Sequence, residues 1–350
     1  MKIAICTDAW SPQVNGVVTT LHRTRDCLKQ FGHDVEVFSP ASGFLTFPLP
    51  SYPEIRLPLF PGRRLARMLD EFSPDCLHIA TEGPLGLAAR AWCVQRGLPF
   101  TTSYHTQFPE YVHARLPIPV ALVYRLLRWF HGGAAATMVS TTHMREQLRH
   151  HGFSNLVAWG RGVDTQLFSP QRRGTLDLPR PVWVYAGRLA VEKNLPAFLA
   201  LDLPGSKLVI GDGPARAVLQ QQFPDAHFVG YQFGEALARY MASGDVFVFP
   251  SCSETFGLVM LEAMACGLPV AAFPVTGPID VVRQGISGVL HEDLQTACLA
   301  ALSLDRQQVR QTALEYSWEQ ASRQFESHLV PMRKPALLPP RRLAPPAQAT

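Results

Sequence analysis

Short apolar runs alternate with segments of helical period, and the alternation runs through the chain twice. In the first half the runs fall at 2–6 (KIAIC), 34–38 (DVEVF), 76–80 (CLHIA), 99–103, 135–139 and 155–158. Helical patterns lie between them at about 17–31, 84–96, 117–131 and 142–151. In the second half runs recur at 182–186 (VWVYA), 207–210, 226–229, 245–249 (DVFVF), 269–272 and 288–290. Helices are expected near 194–201, 214–222, 234–242, 256–266, 278–283 and 294–302. A strand that is apolar throughout, rather than at every second residue, is covered on both faces, which calls for a parallel sheet flanked by helices. The expected class is α/β, with two doubly wound parallel-sheet domains facing a central cleft.

The segment GRGVDTQLFSPQRRGTLDLPRP at 160–181 carries neither period and reads as the connection between the two halves. The expected organisation is therefore a first domain over 1–160, a connection over 161–181 and a second domain over 182–315. A helix at 316–330 would pack back on the first domain. Residues 331–350 hold six prolines and four basic groups without an acid, and read as a disordered tail. Removing that tail's Arg333, Lys334, Arg341 and Arg342 from the total of 32 Lys and Arg leaves a body balanced against its 28 acids. A nucleic-acid-binding body would be basic through its folded part, so nucleic acid is not an expected partner.

Seven cysteines are scattered with no C-x-x-C pair, which argues for buried free thiols in a reducing compartment. Asp8 interrupts any leader-like apolar run, and no run reaches the roughly 18–20 residues of a membrane span. The expectation is a cytoplasmic protein.

Chemistry-bearing residues cluster where strands should end. Glu254 and Glu262 stand eight apart in ETFGLVMLE, just after the 245–249 run. On a helix that spacing would set the carboxylates roughly 12 Å apart along the axis, against different parts of one elongated ligand. The alternative is helix capping by Glu254 and a solvated Glu262. Arg188 and Lys193 follow the 182–186 run in AGRLAVEKN. A planar guanidinium fork and a mobile ammonium suit a diphosphate, unless Glu192 simply neutralises one of them. Backbone amides near Phe256, Gly257 and Leu258 would add anion donors at a helix start. Gly16, after the first strand, would let backbone approach a phosphate. His105, at the end of the 99–103 run, would face the cleft, with a satisfied structural histidine as the alternative.

Other chemistries lack their residues. The nearest match to a dinucleotide fingerprint, GDGPAR at 211–216, has Arg in the third glycine position, and Pro214 explains that turn as a helix start. There is no G-x-S-x-G elbow, no H-E-x-x-H and no Asp-x-Asp, so neither a hydrolase triad nor a metal is nominated. Two basic-apolar stretches, RLPLFPGRRLAR at 56–67 and RLPIPVALVYRLLRWF at 115–130, raise contact with an anionic membrane surface. The second carries Arg115, Arg125 and Arg128 among Leu122, Leu126, Trp129 and Phe130.

Together DAWSPQVNGVVTTL, SYHTQF, GRGVD, AGRLAVEKN, GDGP and SETFGLVMLEAMACGLPV resemble the retaining family 4 glycosyltransferases of GT-B fold, over about residues 1–330. The resemblance implies two Rossmann-like domains and a nucleotide-diphosphate-sugar donor, with no cofactor and no metal. Gly16 would lie near the donor diphosphate, and Arg188 and Lys193 would hold it and stabilise the leaving group. Glu262 would bind the ribose hydroxyls. Glu254, with the Phe256, Gly257 and Leu258 amides, would bind the sugar, and His105 would lie near the reacting carbon. TEGPLG, with Glu82, is similar to the family's acceptor side. Lipid glycosyltransferases and GDP-mannose-dependent mannosyltransferases within the family are the nearest in pattern. The expected acceptor is a lipid such as diacylglycerol, or another lipid or glycan. The enzyme would attach peripherally at the inner face of the plasma membrane. Val229, Gly230 and Tyr231 are the candidates for the donor base. An epimerase, an NAD-dependent oxidoreductase and a non-catalytic sugar-nucleotide binder remain as alternatives.

Overall fold

Strand β1 (Lys2–Cys6) has no exposed surface from Ile3 to Cys6, as expected of a strand covered on both faces. It lies inside a six-stranded parallel sheet ordered β2-β1-β5-β6-β7-β8. Its partners are β2 (Asp34–Phe38), β5 (Cys76–Ile79), β6 (Thr101–Tyr104), β7 (Ala136–Val139) and β8 (Leu156–Ala158). A small antiparallel hairpin, β3 (Thr46–Leu49) and β4 (Tyr52–Pro58), stands apart from it. The second sheet is also parallel and six-stranded, ordered β11-β10-β9-β12-β13-β14. It comprises β9 (Val182–Ala186), β10 (Ser206–Ile210), β11 (His227–Phe228), β12 (Val246–Phe249), β13 (Val270–Ala272) and β14 (Gly288–Leu290). This computed structural model describes residues 1–49, 52–105, 119–252 and 254–332. Arg115, residues 106–108 of SYHTQF, Ser253 and the tail from 333 lie outside the described residues.

Helices α1 (Gly16–Gln30), α2 (Gly62–Phe72), α3 (Pro84–Arg96), α4 (Val120–Gly132) and α5 (Thr142–His150) cover the first sheet. Helices α6 (Leu195–Leu199), α7 (Arg216–Gln222), α8 (Gly234–Ser243), α9 (Leu258–Ala265), α10 (Pro278–Val281), α11 (Leu294–Ala301) and α12 (Arg306–Leu314) belong to the second. The chain then returns as α13 (Trp318–His328) and packs against α1. Phe325 of α13 is fully buried, its ring centroid 4.7 Å from His78 and 4.9 Å from Trp159. Glu326 meets His33 at 2.8 Å, and the His328 ring donates to the Ala158 carbonyl at 2.8 Å.

Local chemistry starts the helices. The Asn15 carboxamide oxygen accepts from the amides of Val17 and Val18, both at 3.0 Å, and opens α1. Pro84 opens α3 and Gly97, at φ 63°, closes it. Asp8, in the loop after β1, accepts from Leu85 N–H at 3.0 Å and Gly86 N–H at 3.4 Å, and so caps α3 from a different strand. Burial raises its carboxyl to about 6 despite those bonds.

Several sequence expectations need correction. The hairpin β3–β4 was not anticipated, because its prolines break the strand pattern. Nor were α2 and α12, whose polar and basic residues (GRRLARMLDEF, RQQVRQTAL) hide short apolar stripes. The helix expected at 256–266 begins only at Leu258, since Gly257 at φ 82° turns the chain first. Glu254 therefore lies in a loop, and its separation from Glu262 is not a helical rise. The cysteines are not all buried: Cys252 is exposed and Cys27 half-buried.

Because Phe325 ties the returning helix to the first sheet, Phe325→Ala is expected to cost about 3–5 kcal/mol. Urea denaturation measures it; a loss under about 1 kcal/mol would mean that α13 is not part of the first domain's core.

Candidate active site

In each sheet the strand order reverses beside a central strand, between β1 and β5 and between β9 and β12. The loops leaving those strands diverge to opposite faces and open a crevice at the carboxyl ends. Gly16 follows β1, Arg188 and Lys193 follow β9, and Glu254 follows β12. The two crevices face each other: a Cβ on Gly16 would sit 3.5 Å from Leu258 Cδ1 of the other domain.

The loop after β9 is fixed by backbone bonds. Gly187 N–H donates to Ile210 O at 2.9 Å, and Leu189 N–H to Asp212 O at 2.8 Å. Gly211 and Gly213 have positive φ, and side chains there would strike the carbonyls of Gly187 and Leu189. GDGP is thus a packing turn that seats the Arg188 loop, but the helix after it begins only at Arg216, so Pro214 is not its first residue as the sequence suggested. Tyr185 Oη donates to Arg188 O at 3.0 Å and holds the same loop from below.

Lys193 Nζ donates to Glu254 Oε2 at 2.7 Å. The pair joins the ends of adjacent strands β9 and β12, and about four-fifths of each side chain is shielded from water. Glu254 Oε1 also accepts from Thr255 N–H at 3.1 Å. Arg188 pairs with Glu192 at 2.9 Å, so the neutralising role considered for Glu192 is realised on Arg188. The Glu262 carboxyl, on α9, has no hydrogen-bond partner among the described residues, and burial pushes it up to about 7 against the pull of Arg23. A desolvated carboxylate without a donor is a ready acceptor for ligand hydroxyls.

His105 is buried, and its ring does not reach outward. Nε2 meets Ser103 Oγ at 2.8 Å, and Nδ1 accepts from the Arg161 guanidinium at 3.2 Å. Burial and the Arg161 charge hold its pKa well below the usual histidine range. The neutral ring is thus an internal strut, and the structural alternative describes its nitrogens. Its carbonyl faces the second domain and accepts from Thr255 Oγ1 at 2.6 Å. Further along, His78 bonds Thr101 and Ser103, while His131 joins Thr102 to Glu82. Burial lowers His78 to about 3.

The structure brings Lys193, Glu254 and Gly257 together and sets Leu258 against Gly16, with the His105 carbonyl meeting Thr255 beside them. Arg188 stands in the loop after β9, tied to Glu192, and Glu262 lies on α9 within reach of the Arg23 charge. Arg161 and Thr255 lay inside motifs read from the sequence but carried no assigned role. Their weight comes from distant partners, which spacing along the chain cannot show. Among the described residues no group of three His, Cys, Asp or Glu side chains is placed to hold a metal ion.

Two parallel-sheet domains meeting across a cleft make the GT-B architecture. Residues 14–167 match the Glycosyltransferase Family 4 model, and 180–304 match the Glycosyl transferases group 1 model. The GDP-mannose-dependent alpha-mannosyltransferase of Corynebacterium glutamicum is 30% identical over 83% of this chain and 76% of its own. Sulfoquinovosyl transferase SQD2 of Arabidopsis thaliana is 32% identical over 80% of this chain and 61% of its own. A sucrose-phosphate synthase structure from Thermosynechococcus elongatus shares the fold, with a TM-score of 0.76, 21% identity, and coverage of 93% of this chain and 97% of that one. The chain belongs to the family 4 glycosyltransferases and is a glycosyltransferase.

Glu262 gives this cleft a pH signature. Its carboxyl is raised in the folded state above the unfolded value, so the unfolded chain loses that proton first. Ligand-free stability should fall as pH rises from about 4.5 to 7 and then level off. Glu262→Gln should remove that part of the slope, read as the difference between the two proteins' unfolding free energies across the range. Identical slopes would mean that Glu262 ionises as a solvated residue.

Proposed function

We propose that this enzyme transfers a hexose, with retention, from a nucleotide-diphosphate sugar to a hydroxyl of a membrane lipid such as diacylglycerol, without a metal ion. The observation that carries the reading is the Lys193–Glu254 pair, set with Arg188 at the carboxyl ends of β9 and β12. Arg188 and Lys193 meet the diphosphate charge, with the amides opening α9 and the backbone at Gly16 close by. Glu262 takes the ribose diol. Glu254 and the amides of Phe256, Gly257 and Leu258 take the sugar. The backbone at His105, rather than its ring, lies toward the reacting carbon.

The described residues contain a charge clamp, and their Ser–His contacts stand apart from it: Ser103 is buried between His78 and His105, and Ser11 meets His22 on the first domain. The reading that fits is front-face displacement. The bond from the anomeric carbon to the diphosphate oxygen breaks, the acceptor oxygen bonds to that carbon from the same face, and its proton passes to the departing phosphate. Arg188 and Lys193 lower the barrier by stabilising the negative charge that develops on the leaving group.

The lipid acceptor is supported by the outer face of the first domain. Helix α4 buries Val123, Leu127 and Phe130 but leaves Leu122, Leu126 and Trp129 more than half exposed beside Arg125 and Arg128. Phe130, grouped with the outer face from sequence, points into the core. Arg90 of α3 stacks on the Trp129 ring at 3.9 Å and holds it in place. On α2, Arg63, Arg64 and Arg67 follow Phe60, which is 95% exposed. Exposed apolar tips among arginines suit an anionic bilayer surface. No helix of the described residues is long and apolar enough to cross a membrane. Peripheral attachment at the cytoplasmic face of the plasma membrane follows from this reading.

The test mixes purified protein with vesicles of diacylglycerol in phosphatidylglycerol, in the presence of EDTA. GDP-mannose, UDP-glucose, UDP-galactose and UDP-glucuronate are supplied separately, with GDP-mannose first because of the corynebacterial relative. Glycolipid from one donor is the expected product. Nucleotide release without glycolipid would reject diacylglycerol as acceptor; activity only with added metal would reject the metal-free clamp. Lys193→Ala and Glu254→Gln should each lower kcat about 100–1000-fold in a folded protein.

Trp129→Ala combined with Leu126→Ala should weaken sedimentation with phosphatidylglycerol vesicles by at least about tenfold while leaving nucleotide binding unchanged. Unchanged sedimentation would move the membrane face elsewhere.

A further inference from the structure

Hydrogen bonds across the cleft are few. Between described residues of the two sheet domains they are Thr255 Oγ1 to His105 O at 2.6 Å, Ser140 Oγ to Thr255 O at 3.1 Å, and His143 N–H to Asp280 Oδ1 at 3.1 Å. Two of the three are made by one residue. Thr255 is buried, and its hydroxyl, carbonyl and amide are all committed, the amide to Glu254 Oε1.

These bonds form a continuous line. The carbonyl of His105 in the first domain receives the Thr255 hydroxyl. The Thr255 amide holds one oxygen of Glu254, and the other oxygen of Glu254 holds Lys193 at 2.7 Å. The anchor is stiff on the first-domain side. The ring of His105 is pinned by Ser103 and by Arg161, whose guanidinium also donates to Trp159 O and Gly160 O at 2.8 and 2.9 Å. Ser140, at the end of β7, supplies the second fixed point. On the other side, Thr255 precedes Phe256 and Gly257, the turn that launches α9. Its position is therefore coupled both to the Glu254 carboxylate and to the amides opening that helix.

The geometry points to Thr255 as a latch: a positioning residue that closes the two domains and, by the same contact, sets Glu254 and Lys193 in their working orientation. Closure and assembly of the donor clamp are then one event. In the open state the Thr255 hydroxyl loses its carbonyl partner, and the turn carrying Glu254 loses its two first-domain supports. A donor can bind to the second domain alone, but the clamp is held rigid only when His105 and Ser140 are in reach. This ties transfer to closure, so that the reactive sugar is gripped only in the water-poor closed cleft. The inference rests on the proposed transfer reaction for its kinetic consequence, but its structural consequence is independent of donor and acceptor.

The side-chain hydroxyl is the group to remove. Thr255→Val keeps shape and backbone amide, Thr255→Ser keeps the hydroxyl, and Ser140→Ala removes the second contact from the far side. With the donor and vesicles found active for the wild type, Thr255→Val should lower kcat about 10–100-fold and change nucleotide affinity by less than about threefold. Thr255→Ser should stay within about threefold of wild type, and Ser140→Ala should lower kcat to a lesser degree. Small-angle X-ray scattering, which needs no acceptor, should give Thr255→Val a larger radius of gyration than wild type or Thr255→Ser. Near-wild-type kcat in Thr255→Val would overturn the proposal. So would equal loss in the Ser and Val variants, or scattering curves that superimpose. If the wild type transfers no sugar, the functional reading fails, and scattering still decides the latch.

Discussion

The ion pair between Lys193 and Glu254 spans the carboxyl ends of neighbouring strands β9 and β12, and the rest of the site is arranged around it. Both side chains are largely shielded from water, where an unpaired charge would be costly. Pairing offsets that cost. A diphosphate and a sugar entering the cleft would meet a cation and an acceptor already oriented, rather than groups that must first shed water. The strands supply the rigidity. Trp183, Val184 and Tyr185 of β9 and Val246, Phe247 and Val248 of β12 are essentially fully buried, so the loops they launch inherit a fixed origin.

Charge can gather here because both sheets are parallel and covered on both faces. Their flanks are closed by helices, which leaves the strand ends as the place where polar groups gather. The reversal of strand order beside β1 and β9 then makes the gap between diverging loops. The first sheet contributes backbone at Gly16 and His105, whereas Arg188, Lys193, Glu254 and Glu262 all come from the second. That asymmetry divides the candidate site: its charged side chains stand on the second domain, and the first supplies backbone and the face bearing α2, α3 and α4.

The parallel sheets were legible in the sequence because a doubly covered strand is written as an unbroken apolar run, as in VWVYA and DVFVF. The candidate residues Arg188, Lys193 and Glu254 follow those runs directly, and the structure sets them in the loops after β9 and β12. What spacing concealed was geometry set by single backbone turns and by distant partners. Gly257, at φ 82°, ends the expectation that Glu254 and Glu262 share a helix. His105 sits where the pattern put it, yet its ring is turned inward by Arg161, which lies 56 residues further along the chain. The hairpin β3–β4 and helices α2 and α12 were missed for a related reason. Elements that cover little apolar area carry little periodic signal, and their stability comes from what they rest on.

The buried chain of bonds beneath the first domain's strand ends explains why the histidine ring acts as a strut. Arg161 is wholly enclosed, and burial alone pulls it down to about 9, so at neutral pH it remains charged and needs acceptors. It finds the carbonyls of Trp159 and Gly160 and the unprotonated Nδ1 of His105. That last bond requires the neutral ring with its proton on Nε2, which can then donate to Ser103. A protonated His105 would place a second cation against Arg161 and break the bond that orients it. The same guanidinium thus fixes the histidine's tautomer and the direction of its carbonyl, which meets Thr255 across the cleft. The Lys193–Glu254 pair is thereby linked, through the backbones of His105 and Thr255, to a charge buried on the other side of the cleft.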